Sequence, residues 1–548
     1  MGSTQEEYDF IIVGGIYLSS PLCPNFLAYT IPAGPSGSVL ASRLARTKQA
    51  PSILLVEAGG PNTNVEYTVP ADRFALAFSQ PTMNWGYKTA PQSHLKNREI
   101  DYSRGKGLGG STAINFSCWI LGPKDDYDEW AELTGDDAWR FDGEGGVKER
   151  LKRVENYHVE VKEEYRKFIN PKSEVNDGNP LGLGMGAGCM YAGARTTSSC
   201  YLQDPPSNLT IIPDTPIHKV LLSDSKSATG ILTTDGREFH AKKEVILSAG
   251  IGPRDQLQKH NIPLLHELPE IGKNLQDHAF CGASIILQEG TNERMKYERD
   301  LEGQMKLREQ HRKDKTGFLN SIYCSNPMGF FKNDRIVRSE EFKALDERTQ
   351  KNLMKPTVPH FEICTHTPPL YLGEYNLKPT DSYLAAFAFV MNPQARGSVS
   401  LASSDPRDPP TIDANLINHP YDRRVLIEGM RELLKLLRAP VLQKNTIEMV
   451  GGPNGESDDE IWAWAASSWH MCSTVKMGKP TDASARTTRD FRLKGVRNLR
   501  VVDLSVMPLL PTLTDRHSNH TQSTAYLVGE LAAEKMAREY GLDEIPWP

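Results

Sequence analysis

Tyr8-Asp-Phe-Ile-Ile-Val-Gly14-Gly15, then Gly34-Pro-Ser-Gly37, then Ser52-Ile-Leu-Leu-Val-Glu57 are the stretches from which the fold is read. Tyr8 to Val13 is a short apolar run without alternation, the pattern of a parallel strand buried on both faces. Gly34 to Gly37 opens Ser38 to Ala45, whose small residues read as a helix. Ser52 to Val56 is a second strand and it ends in Glu57. Strand, glycine turn, helix, strand and terminal acid form the dinucleotide-binding fingerprint. The glycines let the backbone approach a pyrophosphate, and the helix N-terminus offers it unpaired N–H groups and partial positive charge. The terminal acid accepts hydrogen bonds from ribose hydroxyls.

That fingerprint is interrupted. Eighteen residues, Ile16 to Ala33, separate Gly15 from Gly34. Without them Gly14, Gly34 and Gly37 fall at GxGxxG spacing, with Glu57 twenty residues past Gly37. Downstream, Arg104-Gly-Lys-Gly-Leu-Gly-Gly-Ser-Thr-Ala-Ile-Asn115 holds four glycines in twelve residues. Each glycine costs a helix interior about 0.5–1 kcal/mol, so this run is a loop. Its backbone can pass very close to a flat or charged ligand. Ser111, Thr112 and Asn115 add hydrogen-bond donors there with little bulk.

Further elements frame these loops. Asn208 to Ala249 alternates like a β-meander and closes on the strand Glu244 to Ser248. Arg294 to Arg312 is a charged helical patch with a solvated face. Ala385 to Ile412 reads as strands with a turn, and Tyr421 to Leu437 as an amphipathic helix. Asn498 to Asp503 is a buried strand, and Tyr526 to Tyr540 a closing helix. The 548 residues, 39% hydrophobic and 24% charged, suit a globular chain of two to four domains or one large interleaved pair. A net charge of −6 gives no basic footprint for nucleic acid.

Met1 to Tyr8 lacks the basic-then-apolar order of a leader, and the terminal Ile-Pro-Trp-Pro is no peroxisomal or retention address; the expectation is a cytoplasmic protein. Pro21, Pro24 and Asn25 break the one fairly apolar segment, so no membrane span is expected. Eight cysteines without a CxxC pair read as buried free thiols, with no metal site.

Taken together, the pieces resemble the glucose–methanol–choline (GMC) family of FAD-dependent oxidoreductases from Tyr8 to Ala537. Arg104 to Asn115 is similar to the family's first signature. Ile271 to His278, Trp469 to Gly478, Leu499 to Pro508 and Asn519 to Tyr526 follow in the family's order. The resemblance implies a mixed α/β (α+β) fold. A Rossmann-like FAD-binding domain (8–60, 95–150, 200–290, 465–548) would be interleaved with a substrate-binding domain built on an antiparallel sheet with helices (61–94, 151–199, 291–464). It implies that Gly14, Gly15, Gly34 and Gly37 cradle the FAD pyrophosphate and that Glu57 holds the adenosine ribose. Arg104, Gly109, Gly110, Ser111 and Asn115 would line pyrophosphate and flavin. Ile217 would contact adenine through its backbone, Asp503 would bond the ribityl or pyrophosphate region, and Thr521 would lie near the flavin ring. Some relatives bind FAD covalently through a histidine where this chain has Ile114, so FAD is expected to be non-covalent.

The implied reaction oxidises a small-molecule alcohol to a carbonyl, with hydride passing to flavin N5 and then to O2 or another acceptor. His470 would be the base and His520 its partner; histidine suits proton transfer near neutral pH. His278 is expected to pack near the cofactor without chemistry, and Trp469 and Met471 to form pocket wall or core. Two other outcomes stay open: a non-redox lyase or cyclase on the same FAD fold, and a chain inactive because its FAD loop is disrupted. Three departures motivate the last. They are the 16–33 insertion, a short junction at Ser248 to Pro253 lacking the family's second signature, and a long stretch at Thr512 to Ser518. Each has sharp edges inside close matches, the pattern that retained introns or skipped exons leave.

Overall fold

The computed structural model describes residues 6–14, 29–30, 33–64, 80–155, 178–185, 187–191, 193–247, 249–250, 254–260, 262, 266–291, 301–317, 319, 327–366, 375–376, 378, 381–405, 408–453, 457–511 and 521–543. The predicted Gly15, His520, most of 16–33 and all of Thr512 to Ser518 fall outside them.

β1 (Glu6–Gly14) is central because its inner half, Phe10 to Val13, is apolar on both faces and fully buried. The chain then enters α1 (Pro35–Ala45), three residues earlier than the sequence suggested, since proline is pre-shaped for the first helical turn. β2 (Ile53–Glu57) returns parallel to β1, with Ile12 opposite Leu55. β3 (Leu209–Ile212) adds on the outside of β2, also in parallel, so it is no part of the expected meander. The meander proper is β4 (Ile217–Leu222), β5 (Ala228–Thr233) and β6 (Glu238–Leu247). β6 runs parallel to β1 along its other edge, giving the order β4-β5-β6-β1-β2-β3.

A second sheet is antiparallel throughout. β7 (Ala279–Leu287) is buried along its whole length, although its residues fall in the stretch expected with the cofactor half. β8 (Pro327–Phe331), β9 (Phe361–His366) and β10 (Ser382–Val390) follow, then α2 (Pro420–Leu437) and β11 (Thr446–Gly451). Their order is β11-β7-β10-β9-β8, with Gly182–Met185 beyond β8. α2 lays Val425, Met430, Leu433 and Leu437 against this sheet at helical spacing. The charged helix forms at Leu301–Asp314.

The chain finally rejoins the first sheet. β12 (Leu499–Val501) pairs in parallel with β6, and α3 (Gln522–Glu539) packs along α1. α3 starts before the expected Tyr526 because its polar first turn is buried and internally bonded: Ser523 Oγ donates to the Ile120 carbonyl. At the crossing, a Cβ on Gly529 would stand 2.6 Å from the Ser36 carbonyl oxygen, so only glycine permits this approach. Among the described residues, no helix is long and apolar enough to cross a membrane, and no His/Cys/Asp/Glu group is placed to hold a metal. Cys200 is exposed and Cys189 half-buried, against the expectation of uniformly buried thiols.

Candidate active site

The parallel strands β1, β2, β6 and β12 all end on one side of their sheet, and the functional loops gather there, as is general for open α/β sheets. A cleft of about 520 Å³ opens between the start of α1, the 104–115 loop, the turn after β12 and the start of α3. It brings together Gly34, Gly37, Arg104, Ser111, Asn115, Asp503 and Thr521 from the predicted set. Gln522 is a further wall that the sequence did not single out. Gly14, Glu57, Gly109, Gly110 and Ile217 do not line this cleft. Ile217 is fully buried at the start of β4, opposite Thr233.

Chemically the cleft suits an anionic, hydroxyl-bearing ligand. The N-terminus of α1 has no side-chain cap, so its first N–H groups remain available beside Gly34 and Gly37. Arg104 is buried, which draws its guanidinium down to about 10 while Asp277, Tyr102 and Asp101 oppose that shift. Asp503 takes the Ser505 N–H (2.8 Å) and hydroxyl (2.5 Å) on one oxygen, and its other oxygen has no partner among the described residues. Burial pushes its carboxyl up to about 6, still ionised at neutral pH. An uncapped helix end, a cation and a half-engaged carboxylate fit a pyrophosphate with an attached polyol.

The loop's own shape is held from behind. Gly109 has φ +91°, a conformation that favours glycine, and starts the 3₁₀ turn Gly110–Ala113. Arg195 is buried beneath it. Its guanidinium donates to Ser117 Oγ (2.6 Å), the Ala113 carbonyl (2.7 Å), and the carbonyl and side-chain oxygens of Asn115 (2.8 Å each). The Asn115 amide in turn donates to Gln522 Oε1. Asn115 therefore braces the cleft wall. Arg195 lies eighty residues from Asn115, and no local motif marks it.

Glu57 is bonded to backbone through both oxygens. One oxygen accepts the N–H groups of Gly59 (2.7 Å) and Gly107 (3.2 Å), and the other accepts the N–H of Ala33. Ala33 is the last residue of the insertion, so the insertion contributes a donor to this carboxyl. Burial, outweighing these donors, pushes Glu57 up to about 8.

The second predicted centre lies where segment 467–472 runs antiparallel to 276–280. Cys472 N–H donates to the Gln276 carbonyl and Ser468 N–H to the His278 carbonyl, both at 3.0 Å. Between these rungs His470 is fully buried. Its backbone N–H donates to Asp277 (2.8 Å), whose carboxyl also accepts from Ser467 Oγ (2.6 Å). Its ring Nδ1 lies 2.9 Å from Ser468 Oγ and 2.9 Å from Nδ1 of His278. Trp469, just before it, has φ +60°, a strained conformation for a bulky residue and one that clusters at functional sites. This turn aims the Trp469 indole at Asp101 (2.7 Å) and the His470 ring inward. Arg104 donates to the Trp469 carbonyl, tying the glycine loop to the histidine segment. A second cavity of about 640 Å³ shares Arg104, Asp503 and Leu504 with the cleft and extends to Tyr102 and Met471.

Comparison with known proteins matches this architecture. Two GMC oxidoreductase family models match, over residues 8–280 and 393–529. An alcohol dehydrogenase [acceptor] of Pseudomonas putida is 29% identical, over 97% of this chain and 96% of the relative. An oxygen-dependent choline dehydrogenase of Yersinia pseudotuberculosis is also 29% identical, over 97% and 94%. Among solved structures, a formate oxidase superposes with TM-score 0.83 at 23% identity, covering 98% of this chain and all of that one. A fungal aryl-alcohol oxidase gives 0.78 at 20% identity, covering 98% of this chain and all of that one.

Proposed function

The chain belongs to the GMC oxidoreductase family, and on that premise we propose that it binds FAD without a covalent link and oxidises the CH–OH group of a small alcohol to a carbonyl. The carrying observation is the cleft, where an uncapped helix N-terminus, the Arg104 guanidinium and the open oxygen of Asp503 converge. FAD supplies hydride acceptance at N5, which no side chain can provide. The start of α1 would hold the pyrophosphate. Asp503, which when ionised can only accept, would take a ribityl hydroxyl and not an anionic phosphate. Ile114 is apolar and buried, and gives the cofactor no nucleophile.

His470 is the proposed base. It stands at the predicted motif position, fully buried beside the strained Trp469 turn, and a histidine accepts the hydroxyl proton at neutral pH. His520, beyond the described residues, keeps its expected role beside the developing alkoxide. The test is the visible spectrum of the purified chain, followed by anaerobic titration with primary, benzylic and amino alcohols. A bound flavin spectrum bleached by one of them supports the reading. A flavin that no alcohol bleaches points to non-redox chemistry on this fold. A second reading, a chain that loads FAD poorly, is favoured by the Ala33 N–H on Glu57. A colourless, folded protein would support it.

A further inference from the structure

We propose that Arg195 is a positioning residue for the cleft. It fixes the direction of the Asn115 amide and, through Asn115, that of Gln522, so that the wall these two form offers N–H donors. What that wall would bind rests on the FAD reading; the direction of the amides rests on hydrogen bonds alone.

The argument starts from groups that can only donate. Asn115 side-chain oxygen lies 2.8 Å from the Ser117 backbone nitrogen and 2.8 Å from Nη2 of Arg195. Neither a backbone N–H nor a guanidinium can accept, and arginine keeps its protons in a protein. The Asn115 atom between them is therefore its oxygen, and its NH₂ end is turned to Gln522. That end can only donate, so Gln522 meets it with Oε1. The Gln522 NH₂ is left on the other side, where it donates to Cys189 Sγ at 2.8 Å. Burial pushes the Cys189 thiol up to about 12, so at neutral pH its sulfur is that of a neutral thiol, a weak acceptor. The bonds thus run one way, from Arg195 through Asn115 and Gln522 to Cys189. Asn115 and Gln522 both line the cleft. Each amide gives one N–H to this series, and the second N–H of each has no partner among the described residues.

The series needs an arginine at its head. Arg195 is buried on the short strand Ala194–Arg195, and all three of its guanidinium nitrogens are engaged. Nε donates to Ser117 Oγ, Nη1 to the Ala113 carbonyl, and Nη2 to the Thr112 and Asn115 carbonyls as well as the Asn115 side chain. A planar fork spans these groups; a lysine ammonium, with its donors at one point, does not. The span also crosses a strained point. Ser117 has φ +58°, a left-handed conformation that disfavours any residue with a Cβ. There Ser117 gives its N–H to Asn115 and takes the Arg195 Nε–H on its hydroxyl. Such strain persists where the surroundings over-determine it.

A wall of fixed N–H donors selects a partner richer in acceptors than in donors, as the ring system of FAD is. Without Arg195 either amide can present its oxygen instead, and the wall loses its fixed sign.

The test is FAD affinity, measured by fluorescence titration of the full-length apoprotein in a double-mutant cycle. Arg195→Lys should weaken FAD about tenfold in the wild-type background and less than about twofold in an Asn115→Ala background. Equal losses in the two backgrounds would mean that Arg195 only holds the loop, and would overturn the proposal; so would no loss in either. A second measurement needs neither FAD nor a variant of Arg195. In apoprotein carrying nitrogen-15 in asparagine side chains, the Asn115 NH₂ signals are assigned by their loss in Asn115→Ser. They should show nuclear Overhauser contacts to the Gln522 side chain and none to the Ser117 N–H, and the reverse overturns the proposal. If the wild type binds no FAD, the FAD reading falls while these contacts still decide the direction of the amides.

Discussion

Glu57 closes β2 and Asp503 follows β12, so both carboxylates stand at the carboxyl end of the same parallel strands, and both are pushed up by burial. They differ in what remains to be bonded. Glu57 holds three backbone N–H groups from three separate loops, and both its oxygens are in use. Among the described residues Asp503 holds only Ser505, on one oxygen, and it lines the cleft. Glu57 thereby ties three loops together, while Asp503 keeps an acceptor at the cleft.

The largest expected effect comes from removing what separates the two. Deleting residues 16–33 joins Gly15 to Gly34 and removes Ala33 from Glu57. FAD should then bind roughly tenfold more tightly, the worth of freeing one hydrogen-bond acceptor. Fluorescence titration of apoprotein with FAD measures this, and an unchanged affinity would mean that the Ala33 contact does not compete with the ribose. Next is Glu57→Gln in the full chain. Replacing an acceptor oxygen by an NH₂ group against backbone N–H donors should cost about 2 kcal/mol in urea unfolding and leave FAD affinity unchanged. In the deletion background the same substitution should weaken FAD, and that coupling is readable as a double-mutant cycle.

Asp503→Asn should do the opposite. Its remaining oxygen can still accept from Ser505, so stability should hold within about 0.5 kcal/mol. The open oxygen becomes a donor, and FAD affinity should fall about tenfold. Calorimetry of both variants side by side would settle whether the two acids have separate tasks. The smallest effect is in pH. A carboxyl whose pKa is raised in the folded chain binds more protons there than when unfolded, so stability falls as pH rises through that window. For Asp503, from 3.8 to about 6, the window overlaps that of Asp422, also pushed up to about 6 by burial. For Glu57 it extends to about 8. Between pH 6 and 8 the Glu57 share of the loss, at most about 1.4 kcal/mol per pH unit, should be absent in Glu57→Gln.

The legible part of this molecule was local. β1, α1 and β2 declared themselves through an unbroken apolar run, a small-residue helix and a terminal acid, even with eighteen residues between the first two. The 104–115 loop was legible from its glycines, and Asp503 only through the family resemblance. The unread part is a matter of register between distant segments. His278 meets His470 across 192 residues because two irregular strands pair there. Arg195 reaches Asn115 from a short strand with no signature, and the Ala33 contact depends on where an insertion ends. Periodicity reports which face of a segment is buried, and not which distant segment it meets.

The left-handed turn at Trp469 sets stability and turnover against each other. An L-residue with a side chain pays about 1–2 kcal/mol to sit there, and glycine does not. Trp469→Gly would therefore relieve the backbone while giving up the indole anchor on Asp101 that keeps His470 facing inward. A library screened only for heat resistance should collect this substitution among its winners, and those winners should be slower enzymes.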